Sequence, residues 1–299
     1  MVEQFVMKVA KRANDNLKIN DCDYIKDGLW YCGKCNTRKQ TRVKICGIEI
    51  EPMCLCKCKA KERDDRLSRE KNISKNAILE ERRKECFRNS RSINCNFDID
   101  DENNLKLSKM AKEFVDKFQS FKKEGKGLLL FGNTGTGKSF ISACIANALI
   151  DRGYTCLFTS FSLLANSFQD NRYNKQDIID NINSYDLLII DDMAVERNTE
   201  YMNEIVEMII NERYNVGKSL IITTNLNREE LLNPATISKQ RIFSRLREMC
   251  FPYEVKGKDR RDDKLKENYE NYKDLLLNNN NTSYSISNIK KKMNNFDEE

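Results

Sequence analysis

Short apolar runs recur through the second half of the chain, and segments of helix length separate them. The runs cover residues 128–131, 155–158, 187–190 and 220–223. Continuous apolar runs of this length are typical of parallel strands that are buried on both faces. The pattern therefore predicts an α/β domain, in which helices sandwich a parallel sheet.

The first run leads directly into a segment that fits the phosphate-loop pattern G-x-x-x-x-G-K-[ST], with a helical segment after it. The glycines let backbone N–H groups and the following helix N-terminus face phosphates. Lys138 would meet the β- and γ-phosphates of ATP, and Ser139 would be a ligand of Mg²⁺. The alternative is a glycine-rich turn before an ordinary helix. The predicted nucleotide-binding residues are Gly132, Asn133, Thr134, Gly135, Thr136, Gly137, Lys138, Ser139 and Phe140.

Polar side chains follow the third and fourth runs, at the strand ends that would open toward the phosphate loop. We expect Asp191 to hold Mg²⁺ and Asp192 to polarise the attacking water, although two such aspartates also occur as helix caps. Asn225 could orient that water or the γ-phosphate. An aspartate replaces the more usual glutamate at 192, which leaves the rate of hydrolysis open.

Together these segments resemble the DnaC/IstB-like AAA+ ATPases, particularly the DnaC-type replicative helicase loaders of phages and bacteria. The resemblance implies a P-loop AAA+ fold, with Asn225 as the sensor-I residue and Arg245 as an arginine finger. It also implies Arg260 as the sensor-II arginine, with Arg261 as its neighbouring alternative. It covers nearly the whole chain as far as Arg261, and its motifs lie at residues 132–139, 186–192, 194–200, 223–226 and 241–246.

The pattern around Arg245 agrees with that role. On a helix from about residue 237, the apolar side chains share one face, while Arg241 and Arg245 share another. A surface salt bridge with Glu248 is the alternative role for such an arginine. A finger that acts in a neighbouring subunit requires self-assembly, so we expect a ring or a spiral.

Seven of the twelve cysteines lie between Cys22 and Cys58, and the chain has no histidine. Their spacing is typical of a structural zinc site, which must then be all cysteine. Cys54 is the substitute ligand, and Cys22 and Cys46 are spares. Free thiols or an iron–sulfur centre are the alternatives. The predicted zinc ligands are Cys32, Cys35, Cys56 and Cys58.

These features divide the chain into a zinc module (1–60), a charged helical linker (61–94), the ATPase domain (95–261) and a C-terminal helix with a disordered tail (262–299). Residues 1–20 suit a short helix. The net charge of +6 is small for 299 residues, so nucleic-acid contacts should be local. No apolar run is long enough to span a membrane, and we expect a cytoplasmic protein of a bacterium or its phage.

The expected activity is ATP-dependent loading of the replicative helicase onto single-stranded DNA. The module could dock on the helicase, or its cations, which we expect to be exposed, could contact phosphates. These cations are Lys34, Arg38, Lys39, Arg42 and Lys44. Trp30 and Tyr31 could stack on bases or pack on the module. One alternative function is an accessory ATPase of DNA transposition. Another is a zinc-dependent nucleic-acid-binding regulator in which ATP is structural.

Overall fold

The computed structural model describes residues 8, 19–45, 47–88, 90–100, 104–170, 174–193, 200–234, 236–261, 269, 272 and 273. The chain divides into two compact units, Met1–Glu80 and Glu81–Glu299. The helix expected within residues 1–20 and the C-terminal helix and tail expected after residue 261 lie almost entirely outside the described residues.

The first unit contains two antiparallel hairpins. Strands β1 (Tyr24–Lys26) and β2 (Leu29–Tyr31) form one, and β3 (Val43–Ile45) and β4 (Ile48–Ile50) form the other. Asp27 and Gly28 both have positive φ angles, 53° and 76°. Such a pair supplies the tight turn whose twist matches a two-residue hairpin.

Helix α1 (Lys57–Phe87) begins in the first unit and ends in the second. Most of its side chains are exposed and charged, and its buried residues, Cys86 and Phe87, lie at its C-terminal end. A helix that is polar on all sides has no stripe with which to form a core of its own. The charged segment is thus helical, as its composition indicates.

The second unit is built on a five-stranded, all-parallel sheet with the order β6-β7-β8-β5-β9. The predicted runs form four of the strands, which confirms the parallel sheet. The remaining strand pairs with β5 at one edge and was not predicted. The strands are β5 (Gly127–Phe131), β6 (Cys156–Ser160), β7 (Leu187–Asp191), β8 (Ser219–Thr224) and β9 (Cys250–Glu254).

Helices flank this sheet, and their apolar faces form the core with the buried strands. The 3₁₀ turn Arg91–Asn94 precedes them. They are α2 (Leu105–Asp116), α3 (Phe118–Glu124), α4 (Lys138–Asp151), α5 (Phe161–Gln169), α6 (Lys175–Ser184), α7 (Glu200–Asn215), α8 (Arg228–Leu232) and α9 (Ile237–Met249). The strand order places β5, which leads into the phosphate loop, between β8 and β9.

Candidate nucleotide and metal sites

The phosphate loop connects the buried end of β5 to the N-terminus of α4. Lys138 is buried, and its Nζ donates to the carbonyl oxygens of Gly132 at 2.7 Å and Asn133 at 2.6 Å. Burial lowers the pKa of Lys138, and the nearby charges of Asp192 and Asp191 oppose that shift. The ammonium is thus held at the loop and faces the two carboxylates.

Two glycines of the loop allow a close approach of the segment after β9. Gly132 has φ 126°, and a Cβ there would lie 2.6 Å from the Val255 carbonyl oxygen. Gly135 has φ 71°, and a Cβ there would overlap the Asp259 carboxylate. Side chains at these positions would be strained and would displace this segment.

The ends of β7 and β8 form a hydrogen-bonded network around Thr223. Its hydroxyl donates to Asp191 Oδ1 at 2.7 Å and accepts from the Asp192 N–H at 2.8 Å. Asn225 Nδ2 donates to Asp192 Oδ1 at 3.1 Å. The structure therefore brings together three predicted site residues, and it adds Thr223, to which the sequence assigned no role.

Asp192 has a left-handed backbone with φ 53°. Aspartate tolerates this region better than most residues, and such outliers cluster at functional sites. The Thr223 hydroxyl on its N–H and the Asn225 amide on its side chain hold Asp192 in this conformation. Its carboxylate is therefore fixed at the sheet edge.

A cavity of about 700 Å³ joins the phosphate loop to this network. That volume lies within the roughly 300–1,000 Å³ range of small-molecule sites. Ten of the predicted nucleotide, magnesium and catalytic residues line the cavity: Thr134, Gly135, Gly137, Lys138, Ser139, Phe140, Asp191, Asp192, Asn225 and Arg260. Arg261, the alternative sensor-II arginine, also lines it, as do Ile99 and Thr223, to which the sequence assigned no role. Gly132 and Asn133 contact Lys138 instead, and Thr136 is a buried residue whose hydroxyl donates to the Asn133 carbonyl.

The segment after β9 packs against the phosphate loop. The Arg260 N–H donates to the Gly135 carbonyl at 3.0 Å, and Asp259 accepts from the Arg261 N–H at 2.9 Å. Arg260 Nη1 lies 4.0 Å from Asp100 Oδ1. Both Arg260 and Arg261 line the cavity.

Arg245 lies on α9, which begins at Ile237 as expected. Ile242, Leu246 and Met249 are buried on that helix, whereas Arg245 is half-buried and does not line the cavity of its own chain. Its Nη1 is buried and makes no hydrogen bond within the described part of the chain. The position is compatible with a finger that serves another subunit, and that role stays a prediction.

The predicted zinc ligands converge in the first unit. The four sulfur atoms of Cys32, Cys35, Cys56 and Cys58 all lie within 4.8 Å of one another. Cys22 and Cys54 lie outside this cluster, and Cys46 is outside the described residues. Four convergent thiols are the donor set that a tetrahedral structural zinc site requires.

Local hydrogen bonds favour the thiolate form at one end of this cluster. Backbone N–H groups of Cys35 and Lys34 lower the pKa of Cys32, and the Thr37 hydroxyl, 3.0 Å away, lowers the pKa of Cys35 to about 5. The neighbouring thiols raise the pKa of Cys58 to about 12, with Cys56 as the largest cause. A cation would relieve that crowding of negative charge.

Gly33 is required for the shape of the Cys32–Cys35 turn. A Cβ at this position would overlap the Cys22 backbone carbonyl. Its N–H donates to Asp23 at 3.2 Å, and Asp23 also pairs with the buried Lys39. The segment before β1 therefore packs tightly on the turn.

The expectation that Lys39 is an exposed cation is wrong. Its side chain is 3% exposed, because it forms an ion pair with Asp23 inside the module. A buried lysine needs such a partner to offset its lost hydration. The structure thus removes Lys39 from the surface that could meet phosphates.

The fold and the site define a P-loop protein of the AAA+ type. A family profile described as "IstB-like ATP binding protein" matches residues 67–267. The chain belongs to this family of ATP-binding proteins. Within the part of the chain that the structure describes, no helix is both long and apolar enough to cross a membrane.

Curated relatives resemble about half of the chain. "Replicative helicase loader DnaC" of Escherichia coli (strain K12) is 24% identical over 161 residues, which cover 52% of this chain and 63% of the relative. "Replicative helicase loader DnaI" of Bacillus subtilis (strain 168) is 25% identical over 178 residues, with 55% and 56% covered. The matches thus span less than two thirds of these relatives.

A solved structure has the same fold. "Crystal structure of the DnaC helicase loader" aligns with a TM-score of 0.50 and 25% identity. The alignment covers 56% of this chain and 99% of the solved chain. The resemblance inferred from the motifs is thereby confirmed.

Proposed function

We propose that this protein is an ATP-dependent loader of the replicative DNA helicase onto single-stranded DNA during the initiation of replication. The observation that carries the proposal is the cavity in which Lys138 faces the Asp191, Thr223 and Asp192 network. The similarity to proteins named replicative helicase loaders supports the choice of partner.

In the proposed mechanism, Ser139 and Asp191 would hold the Mg²⁺ that accompanies ATP, and this ion would neutralise phosphate charge. Thr223 orients Asp191 by its hydrogen bond. Asp192 polarises the attacking water, and Asn225 holds its carboxylate in place. Arg260 would approach the γ-phosphate.

Arg245 would complete the site of a neighbouring subunit, because it does not reach the cavity of its own chain. An arginine supplied in trans accelerates hydrolysis by about 10³–10⁵-fold in related phosphoryl-transfer enzymes. A single chain would therefore hydrolyse ATP slowly. Assembly into a ring or a spiral would make it active.

The first unit would be a zinc module that docks on the helicase. Cys32, Cys35, Cys56 and Cys58 would hold Zn²⁺, which supplies folding energy and leaves no open position for catalysis. The exposed α1 would link it to the ATPase domain. The boundaries at residues 60, 94 and 261 are part of this proposal.

A helicase-loading assay tests the proposed function. Single-stranded circles coated with single-strand-binding protein and annealed to a short labelled strand are mixed with the host helicase. The proposal predicts that strand displacement requires this protein and ATP, and that Lys138→Ala abolishes the stimulation. Lys109→Ala, an exposed lysine outside the cavity, is the matched control and should load normally.

If loading is not observed, two further results would distinguish the alternative functions. ATP turnover that responds to duplex DNA and a transposase, with no loading, would favour the accessory ATPase of transposition. ATP binding without turnover above an Asp191→Ala control would favour the regulator with structural ATP.

A further inference from the structure

An aromatic and cationic face lies on the first unit, on the side of β1 that carries Tyr24. The backbone register places Tyr24 opposite Tyr31, and a β-bridge places Tyr31 opposite Arg38. The three side chains therefore form one row across three segments of chain. Below, "the tyrosine row" means Tyr24, Tyr31 and Arg38.

The rings of the tyrosine row are stacked and anchored. The centroids of Tyr24 and Tyr31 are 5.7 Å apart and the ring planes differ by 18°. Arg38 Nε donates to the Tyr31 hydroxyl at 2.9 Å, and the Tyr24 hydroxyl donates to Asn36 Oδ1 at 3.4 Å. These bonds fix both rings at their hydroxyl ends, while Tyr24 stays 39% exposed.

Cations border the exposed ring. Lys26 lies two residues after Tyr24 and so shares its face of the strand. The side-chain hydrogen bond that the structure shows for Arg38 uses Nε. Among the described residues, neither Arg38 nor Lys26 forms an ion pair. Arg42, by contrast, is paired with Glu51 at 2.6 Å.

We propose that the tyrosine row, with Lys26, binds single-stranded nucleic acid, with a base stacked on Tyr24 and a phosphate held by Arg38. Aromatic rings that accept unpaired bases beside cations that follow the backbone are the common design of such sites. A duplex would not fit, because its bases already stack on one another. The inference deepens the proposed function by locating DNA on the zinc module.

The opposite face of the same hairpin is a poorer candidate. Trp30 lies opposite Ile25 there, and Ile25 is 61% exposed. Trp30 is half-buried, and its backbone N–H donates to Gln40 Oε1 at 3.4 Å. Ile25 supplies the matched control, because it is adjacent to Tyr24 in the strand, is also exposed, and lies on the opposite face. Replacing it with alanine removes exposed apolar surface without changing the tyrosine row.

Fluorescence anisotropy with a labelled oligothymidylate and the full zinc-bound chain tests the inference. Tyr24→Ala and Tyr24→Leu should weaken binding by about 5- to 150-fold, as expected from stacking of about 1–3 kcal/mol per base. Tyr24→Phe and Ile25→Ala should bind as the parent does. Arg38→Ala should reduce the salt dependence by the equivalent of about one phosphate.

A second readout separates this surface from any contact that the ATPase domain makes. Photocrosslinking of an iodouracil-substituted oligonucleotide should map to Tyr24 or Tyr31. Crosslinks confined to the second unit, or equal affinities for Tyr24→Leu and Ile25→Ala, would overturn the inference. Unchanged oligonucleotide binding with lost helicase binding in Tyr24→Leu would also overturn it and assign the face to a protein. If the proposed function itself is wrong, the parent chain will not bind the helicase, whatever the oligonucleotide results are.

Discussion

The hydroxyl of Thr223 donates to the Asp191 carboxylate at 2.7 Å and so links strands β8 and β7 at the nucleotide cavity. Asp191 would otherwise lack this orienting contact, and the Asp192 N–H would lack its acceptor. One hydroxyl thus holds the Asp191 carboxylate and the Asp192 backbone at the proposed site.

Thr223→Val keeps the shape of the side chain and removes this hydroxyl. We expect ATP hydrolysis to fall by about tenfold or more, and the free energy of unfolding to fall by about 1–3 kcal/mol, because the Asp192 N–H loses its acceptor. Steady-state turnover and urea denaturation measure the two effects.

Thr159→Val is the control for that substitution. Thr159 is equally buried in β6, but its Oγ1 has no hydrogen-bond partner within the described residues. Its replacement should leave stability unchanged or raise it. Equal losses in the two variants would contradict the role assigned to Thr223.

The zinc assignment predicts which cysteines matter. Cys35→Ser or Cys58→Ser should lower the bound zinc well below one ion per chain and destabilise the first unit, because a tetrahedral site loses a ligand. Cys22→Ser and Cys54→Ser should retain full zinc, since both thiols lie outside the cluster. Elemental analysis of the purified variants decides the matter, and iron in place of zinc would contradict the assignment.

Arg245 can be tested by mixing two inactive chains. Arg245→Ala retains its own phosphate loop, and Lys138→Ala retains its finger, so a mixture can form hybrid sites that contain both groups. We expect each variant alone to be nearly inactive and the mixture to regain part of the turnover. Arg241→Ala, on an exposed position of the same helix, should behave as the parent does. No recovery on mixing would contradict a role in trans.

The lowered pKa of Asp186 should make the free energy of unfolding depend on pH. Burial alone would raise its pKa, but the Lys122 ammonium at 2.7 Å and the Thr155 N–H at 3.0 Å outweigh burial and hold the pKa below the ordinary 3.8. A lowered carboxyl pKa stabilises the fold fully above the unfolded-state pKa, and this contribution is lost as the pH falls through the folded-state pKa.

Asp186→Asn should therefore lower the free energy of unfolding by roughly 1 kcal/mol at neutral pH, with the difference shrinking below pH 3.8. Urea titrations at several pH values measure it. Asp116→Asn removes the more exposed ion pair between Asp116 and Arg152, so it should lower the free energy of unfolding by less than Asp186→Asn does. A difference that grows on acidification would refute the assignment.

Much of the second unit follows from local sequence patterns. Four strands are continuous apolar runs, and the phosphate loop is a contiguous motif. The edge strand β9 escaped prediction because its sequence, Cys-Phe-Pro-Tyr-Glu, contains a proline and leaves Phe251 59% exposed. Proline is tolerated at sheet edges, where one side of the strand needs no partner.

The site was less predictable where its contacts are distant in sequence. Thr223 acquires its role only when β8 pairs with β7, and Asp259 only when its segment folds over Gly135. The cysteine cluster was predictable, because spacing and the lack of histidine limit the choice. Lys39 was placed wrongly, because composition does not reveal its burial beside Asp23.

Nucleotide-dependent binding to the replicative helicase tests the central claim most directly. Native mass measurements would be made on this protein mixed with its host's helicase, with ATP, with ADP, and for Lys138→Ala. The account predicts a stoichiometric complex whose population differs between ATP and ADP and no longer responds to nucleotide in Lys138→Ala. No complex in any nucleotide state would contradict it.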